Sequence, residues 1–149
     1  SGTAFGTIIL HVSPESAVGG PFSILKTGDK IKLSVKNKSL NVLLSKTLCE
    51  MGQRVLLIDA DLRKPQLHSR LGLNNLNGLT NLLANDSQSW HNLMQQVPGH
   101  NDWYVITAGS RSPDPARLLS SKRMQNFVSE ISDSGEFDLI LLFLKTHSF

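Results

Sequence analysis

The chain holds one cysteine, one tyrosine and two tryptophans in 149 residues, and only 18% of it is charged. A single thiol, Cys49, excludes an internal disulfide and cannot hold a metal or iron–sulfur centre alone. Its place in an apolar helical pattern predicts a buried, inert side chain. No apolar run approaches the roughly 18 residues of a transmembrane helix, so no direct membrane insertion is expected. No signal peptide is visible either, and the expected location is cytoplasmic. The balance is mildly basic, +3 with a pI near 9.2, yet the cations are scattered, which argues against nucleic acid as a partner. No repeat or low-complexity tract occurs. The first residue is Ser1 and not Met, as expected of a processed product or a piece of a longer protein. What is plentiful is apolar content, 40% of the residues, enough for one real core.

The character of the chain changes near residue 40. Before it, residues 6–12 read as a strand and Lys30-Ile31-Lys32-Leu33-Ser34-Val35 alternates like a half-buried one. Gly19-Gly20-Pro21 and Thr27-Gly28-Asp29 read as turns. After it, Leu40, Leu43, Leu44, Thr47, Leu48 and Met51 mark one face of a helix over 39–51, with Gly52 where a C-terminal glycine belongs. Shorter helices are expected at 65–71, 79–84 and 89–96, and a long one from Pro115 to about 134. Strands are expected at 55–59, 103–107 and 137–144. Strand alternating with helix is the pattern of a parallel α/β sheet.

The most pointed stretch is Val55-Leu56-Leu57-Ile58-Asp59-Ala60-Asp61-Leu62-Arg63-Lys64-Pro65. An unbroken apolar run fits a strand buried on both faces. Asp59 and Asp61 then emerge at its carboxyl end, where open α/β sheets place their ligand crevice. Two carboxylates there suit a hydrated Mg²⁺, though solvated loop carboxylates capping a helix are the bland alternative. A phosphate cradle would complete a nucleotide site. Lys38-Ser39 stands where the Lys-Ser of G-x-x-x-x-G-K-[ST] would open the helix, but Lys32 and Asn37 occupy the glycine positions. Lys38 can attract a phosphate as a point charge or be an ordinary exposed lysine.

Residues 38–142 resemble the ATP-binding domain of bacterial tyrosine autokinases, relatives of the deviant Walker ATPases that include MinD. The resemblance runs through Met51-Gly52-Gln53-Arg54 and the motif above, then Asn77-Gly78-Leu79-Thr80-Asn81-Leu82-Leu83, Ile106-Thr107-Ala108-Gly109, Pro113-Asp114-Pro115 and Phe137-Asp138-Leu139-Ile140. It implies ATP or ADP with Mg²⁺ as cofactors and homo-oligomers as partners. Asp59 and Asp61 take the catalytic roles, Ser39 joins them as metal ligands, and Lys38, Ser39 and Arg63 hold the nucleotide. Two departures stand against activity. The glycines are missing, and Phe143 occupies the position of the Walker B aspartate. The family's tyrosine cluster has no counterpart, since Tyr104 lies in an expected strand. Loss of catalysis is therefore expected.

Residues 1–40 resemble something else, the C-terminal domain of dihydroxy-acid and sugar-acid dehydratases. The resemblance is carried by residues 1–21 and by Thr27-Gly28-Asp29-Lys30-Ile31-Lys32-Leu33-Ser34-Val35. It assigns Ser1 to that family's proposed base, but no iron–sulfur cluster is expected, and Ser1 reads as an inert terminal residue. His11 reads as a core or edge histidine. The two resemblances meet at Lys36-Asn37-Lys38-Ser39-Leu40, as in a chimera. The expected organisation is a dehydratase-like β segment over 1–38 and a kinase-like core over 39–149. The expected fold is α/β: a truncated P-loop NTPase-like parallel sheet with flanking helices, preceded by a short β-rich segment. Its third strand, near residue 140, becomes an edge of the kinase-like core, which the N-terminal segment either covers, packs against loosely or leaves open. The expected function is a degenerate ATP-binding domain. The alternatives are a self-association module and, below it, a fragment of a dehydratase-type lyase.

Overall fold

A computed structural model describes residues 8–12, 22–27, 30–35 and 38–143, with side chains from residue 42 onward. The turn at residues 19–21, Ser1 and the junction residues 36–37 lie outside the described residues. Four strands run parallel in one sheet: β1 (Ile8–Val12), β4 (Val55–Asp59), β6 (Trp103–Ile106) and β7 (Leu139–Phe143). A short β5 (Gln95–Gln96) adds an antiparallel edge, giving the order β1-β7-β4-β6-β5. The strands β2 (Phe22–Thr27) and β3 (Lys30–Val35) form a separate antiparallel hairpin, and β3 lies against β1. This is the expected parallel α/β architecture. Among the described residues no helix is long and apolar enough to cross a membrane.

Every residue of β4 is buried, because the sheet is covered on both faces. Period-two alternation divides it between two cores. Leu56 and Ile58 join Ile106, Ile140 and Leu142 beneath α3 (Leu79–Ala84) and α5 (Lys122–Asp133). Val55 and Leu57 join Val105, Leu139 and Leu141 on the opposite face, beside α1 (Lys38–Glu50) and α2 (Leu67–Leu71). In α5, Met124, Phe127 and Ile131 are buried at helical spacing, each contributing roughly 1.5–3 kcal/mol by burial.

The buried face of α1 differs from the expected one. Leu43 and Met51 are 59% and 70% exposed, while Ser45 is fully buried, with Val42, Leu44, Leu48 and Cys49 half-buried around it. A small side chain allows the close approach of helix to sheet that leucine would block. Cys49 is thus half-buried, not buried. The helix ends as expected. Gly52, at φ +90°, donates to Cys49 O, and Gln53 N donates to Leu48 O, the paired bonds of a Schellman motif. The helix expected at 89–96 is a single 3-10 turn (Trp90–Asn92) followed by β5. The long helix expected from residue 115 is two, α4 (Pro115–Leu119) and α5, because the Ser121 hydroxyl accepts from Met124 N and starts a new helix.

Of the expected arrangements, the N-terminal segment covers the edge of the third strand. Here β1 pairs in parallel with β7 from Ile8↔Leu139 to Val12↔Phe143, so β7 is interior and β1 is the edge. His11 is accordingly on an edge strand. At the opposite end of β7, Arg54 and Asp138 tie β4 to β7 by a fork: Nη2 to Oδ1 at 3.0 Å and Nε to Oδ2 at 3.2 Å, with Arg54 N also donating to Oδ2 at 2.9 Å. The hydrogen bond from Arg54 holds the Asp138 carboxyl below its ordinary value. A depressed carboxyl contributes stability above its unfolded pKa that is lost as pH falls through the folded one. The side chains are 47% and 38% exposed, so screening limits the pair to about 0.5–1 kcal/mol. Asp138→Asn is expected to lower the unfolding free energy by that amount at pH 7. It should also flatten the decline below about pH 4; urea titrations at pH 7 and pH 3 read both effects.

Candidate functional site

Asp59 closes β4 and Asp61 follows two residues on, at 0% and 2% exposure. They are not solvated. Asp59 Oδ1 accepts from Asp61 N at 3.1 Å, and Asp59 Oδ2 accepts from Leu67 N, the first residue of α2, at 3.4 Å. Asp61 Oδ1 accepts from Lys64 N at 3.3 Å. The two carboxylates therefore fold the loop 60–66 back on the strand tip and start α2. Both have the oxygen chemistry Mg²⁺ takes, although three of their oxygens already accept backbone N–H. No further His, Cys, Asp or Glu joins them among the described residues. Arg63 is exposed on the same loop.

Lys38 and Ser39 open α1, whose body packs on β4, β6 and β7. Upstream of them, residues 31–35 are strand, with Lys32 paired to Leu25 in the β2–β3 hairpin. Only residues 36–37 separate that strand from the helix. A glycine cradle has no room to begin at Lys32, because a strand residue is held extended by its ladder. Across the sheet, Phe143 stands in register with Asp59 and is 3% exposed, and its carbonyl accepts from Ala60 N at 2.8 Å. The position where the kinase resemblance implies a carboxylate is thus part of an apolar core.

A second feature was not expected from the sequence. A cleft of about 460 Å³ lies between the loop after β4 and the loop after β6. Arg63, Lys64, Arg111 and Ser112 line it, with Pro113 and Pro115 as its apolar wall. Two asparagines fix the second loop. Asn75 Oδ1 accepts from Gly109 N at 2.8 Å, and Asn75 Nδ2 donates to Gly109 O at 3.1 Å. Asn81 Oδ1 accepts from Gly78 N at 2.9 Å and Ser110 N at 3.1 Å. The rule that ligands gather beyond the carboxyl ends of parallel strands would have pointed to Arg111, five residues past β6.

Comparison with known proteins finds relatives of two kinds. The family model described as dihydroxy-acid/6-phosphogluconate dehydratase C-terminal matches residues 1–79. The putative dehydratase IlvD1 of Rhizobium meliloti is 58% identical over 45 residues, covering 30% of this chain and 8% of that protein. The tyrosine-protein kinase YwqD of Bacillus subtilis is 41% identical over 98 residues, covering 66% of this chain and 40% of YwqD. The chain thus spans less than half the length of either relative. Among solved structures, the kinase domain of the Escherichia coli tyrosine kinase ETK superposes with a TM-score of 0.68 at 24% identity, over 94% of this chain and 47% of that one. That likeness is one of fold.

Proposed function

Since the chain belongs to the dihydroxy-acid/6-phosphogluconate dehydratase C-terminal family over residues 1–79 and is homologous to bacterial tyrosine kinases over 98 residues, we propose that it is a degenerate ATP-binding domain that no longer transfers phosphate. The observation that carries this reading is the register of Asp59 against Phe143, one half of a metal–nucleotide site facing an apolar side chain. Asp59 and Asp61, with Ser39, would hold a hydrated Mg²⁺; Lys38, Ser39 and Arg63 would hold ATP or ADP. Bound Mg²⁺ would supply charge neutralisation of the phosphates. The division at residue 38, into 1–38 and 39–149, belongs to the same proposal as a boundary of ancestry.

Transfer needs both positioning and electrostatic stabilisation. The strand over residues 31–35 removes the backbone N–H cradle, and Phe143 removes a carboxylate. Weak binding without turnover is the expected combination. Titration calorimetry with Mg-ADP is expected to give measurable heat, and Mg-ADP at ten times its Kd should stabilise the fold by about 1.4 kcal/mol. Incubation with labelled Mg-ATP is expected to give no phosphotyrosine and no released phosphate. Absence of heat and of a thermal shift at millimolar nucleotide would reject binding, and turnover would reject degeneracy.

A further inference from the structure

We propose that the cleft between the loops after β4 and β6 is a site for a small polyphosphate, a diphosphate or triphosphate group bound through Arg63, Lys64 and Arg111. Three cations converge on a space of about 460 Å³. Neither guanidinium, Arg63 nor Arg111, has a carboxylate within ion-pair distance among the described residues. Each of the two nearby carboxylates has an oxygen on a backbone N–H. Asp61 Oδ1 accepts from Lys64 N, and Asp114 Oδ1 accepts from Arg117 N at 3.2 Å to start α4.

A planar guanidinium fork matches phosphate oxygens in pairs, and two such forks in one cleft suit a ligand carrying several negative charges in a small volume. The Ser112 hydroxyl adds one neutral donor at the wall. Pro113 and Pro115 contribute shape without backbone N–H groups, so selectivity falls to the side chains. The scaffold beneath is firm. Asn75 and Asn81 grip Gly109 and Ser110, immediately before Arg111. On the other side, Asp59 and Asp61 hold the loop that carries Arg63 and Lys64. Preorganised loops reduce the ordering cost that usually weakens surface anion sites.

The site shares Arg63 with the nucleotide reading, and among the described side chains Asp59 and Asp61 do not line it. Calorimetry of the full chain with sodium tripolyphosphate, free of Mg²⁺, tests it. Binding that weakens with added salt is expected, and Arg63→Ala or Arg111→Ala should each lower affinity about tenfold. Lys122→Ala, an exposed cation on α5 that does not line the cleft, should change it by less than about twofold, as a screened charge outside the site does. Lys38→Ala should spare tripolyphosphate while removing Mg-ADP, so the two sites fail separately. ADP and free pyrophosphate, titrated without Mg²⁺, then report whether a nucleoside is part of the ligand. No heat at millimolar tripolyphosphate overturns the proposal. So does an equal loss in Lys122→Ala, or equally tight binding of hexaglutamate, either of which would mean charge attraction alone.

Discussion

Phe143→Asp, the change that would restore the carboxylate implied by the kinase resemblance, is expected to destabilise the fold by about 4–6 kcal/mol. Phe143 is 3% exposed and belongs to the core of Leu141, Leu139, Val105 and Leu57. Truncating a buried phenylalanine costs about 3–5 kcal/mol before any charge is considered. The new carboxylate would then stand in register with Asp59, itself fully buried. Two like charges in low dielectric repel, and neither has water to relieve it. A domain of this size has about 5–15 kcal/mol in total, so much of the variant would be unfolded at 37 °C. Denaturant titration reads the loss, with Phe143→Leu as the apolar control at about 1 kcal/mol. If Phe143→Asp stayed within 1 kcal/mol of the parent and gained stability on adding Mg²⁺, the apolar reading of this corner would be wrong.

Gly78→Ala is expected to cost about 3–5 kcal/mol for a different reason. A methyl group there would come within 3.0 Å of three backbone atoms, Thr107 O, Thr107 C and Gly109 N. Backbone of a strand tip cannot swing aside as a flexible side chain can. Gly109 faces it at φ +85°, so the two loops touch glycine to glycine. The same contact lets Leu79 N donate to Thr107 O and Thr80 N to Ala108 O, seating the first turn of α3 on the end of β6. Gly99→Ala is the fitting comparison. Its φ is +84° but nothing lies within 4 Å, so only the backbone strain of about 1 kcal/mol is expected. Thermal melts of the two variants separate steric exclusion from strain; similar losses would show that the loops can part.

The central strand and its two carboxylates were legible in the sequence because both depend on local order: an unbroken apolar run, then acids at its end. The buried face of α1 was not. Counting leucines put Leu43 and Met51 inward, whereas the sheet selects Ser45 for its small size. The segment 89–96 carries helical spacing, but Trp90 enters the core and Gln95 and Gln96 pair with β6, and tertiary pairing overrides the local pattern. Pairing of β1 with β7 leaves no local trace at all. The cationic cleft escaped for a related reason, since Arg63 and Arg111 come from different loops and converge only once β4 and β6 lie side by side.

That pairing of β1 with β7 also bears on the order in which the molecule assembles. Ile8 meets Leu139 across about 130 residues of intervening chain. Closing so long a loop carries an entropic cost that must be met before any hydrogen bond of the pair is made. Strands β4 and β6, with α2 and α3 between them, are nearer neighbours in the chain, and β7 follows over α4 and α5. During synthesis β1 leaves the ribosome before β4, β6 and β7, and its partner is the last of these to follow. Among the described parallel strands, β1 is made first and has the longest wait for the strand beside it.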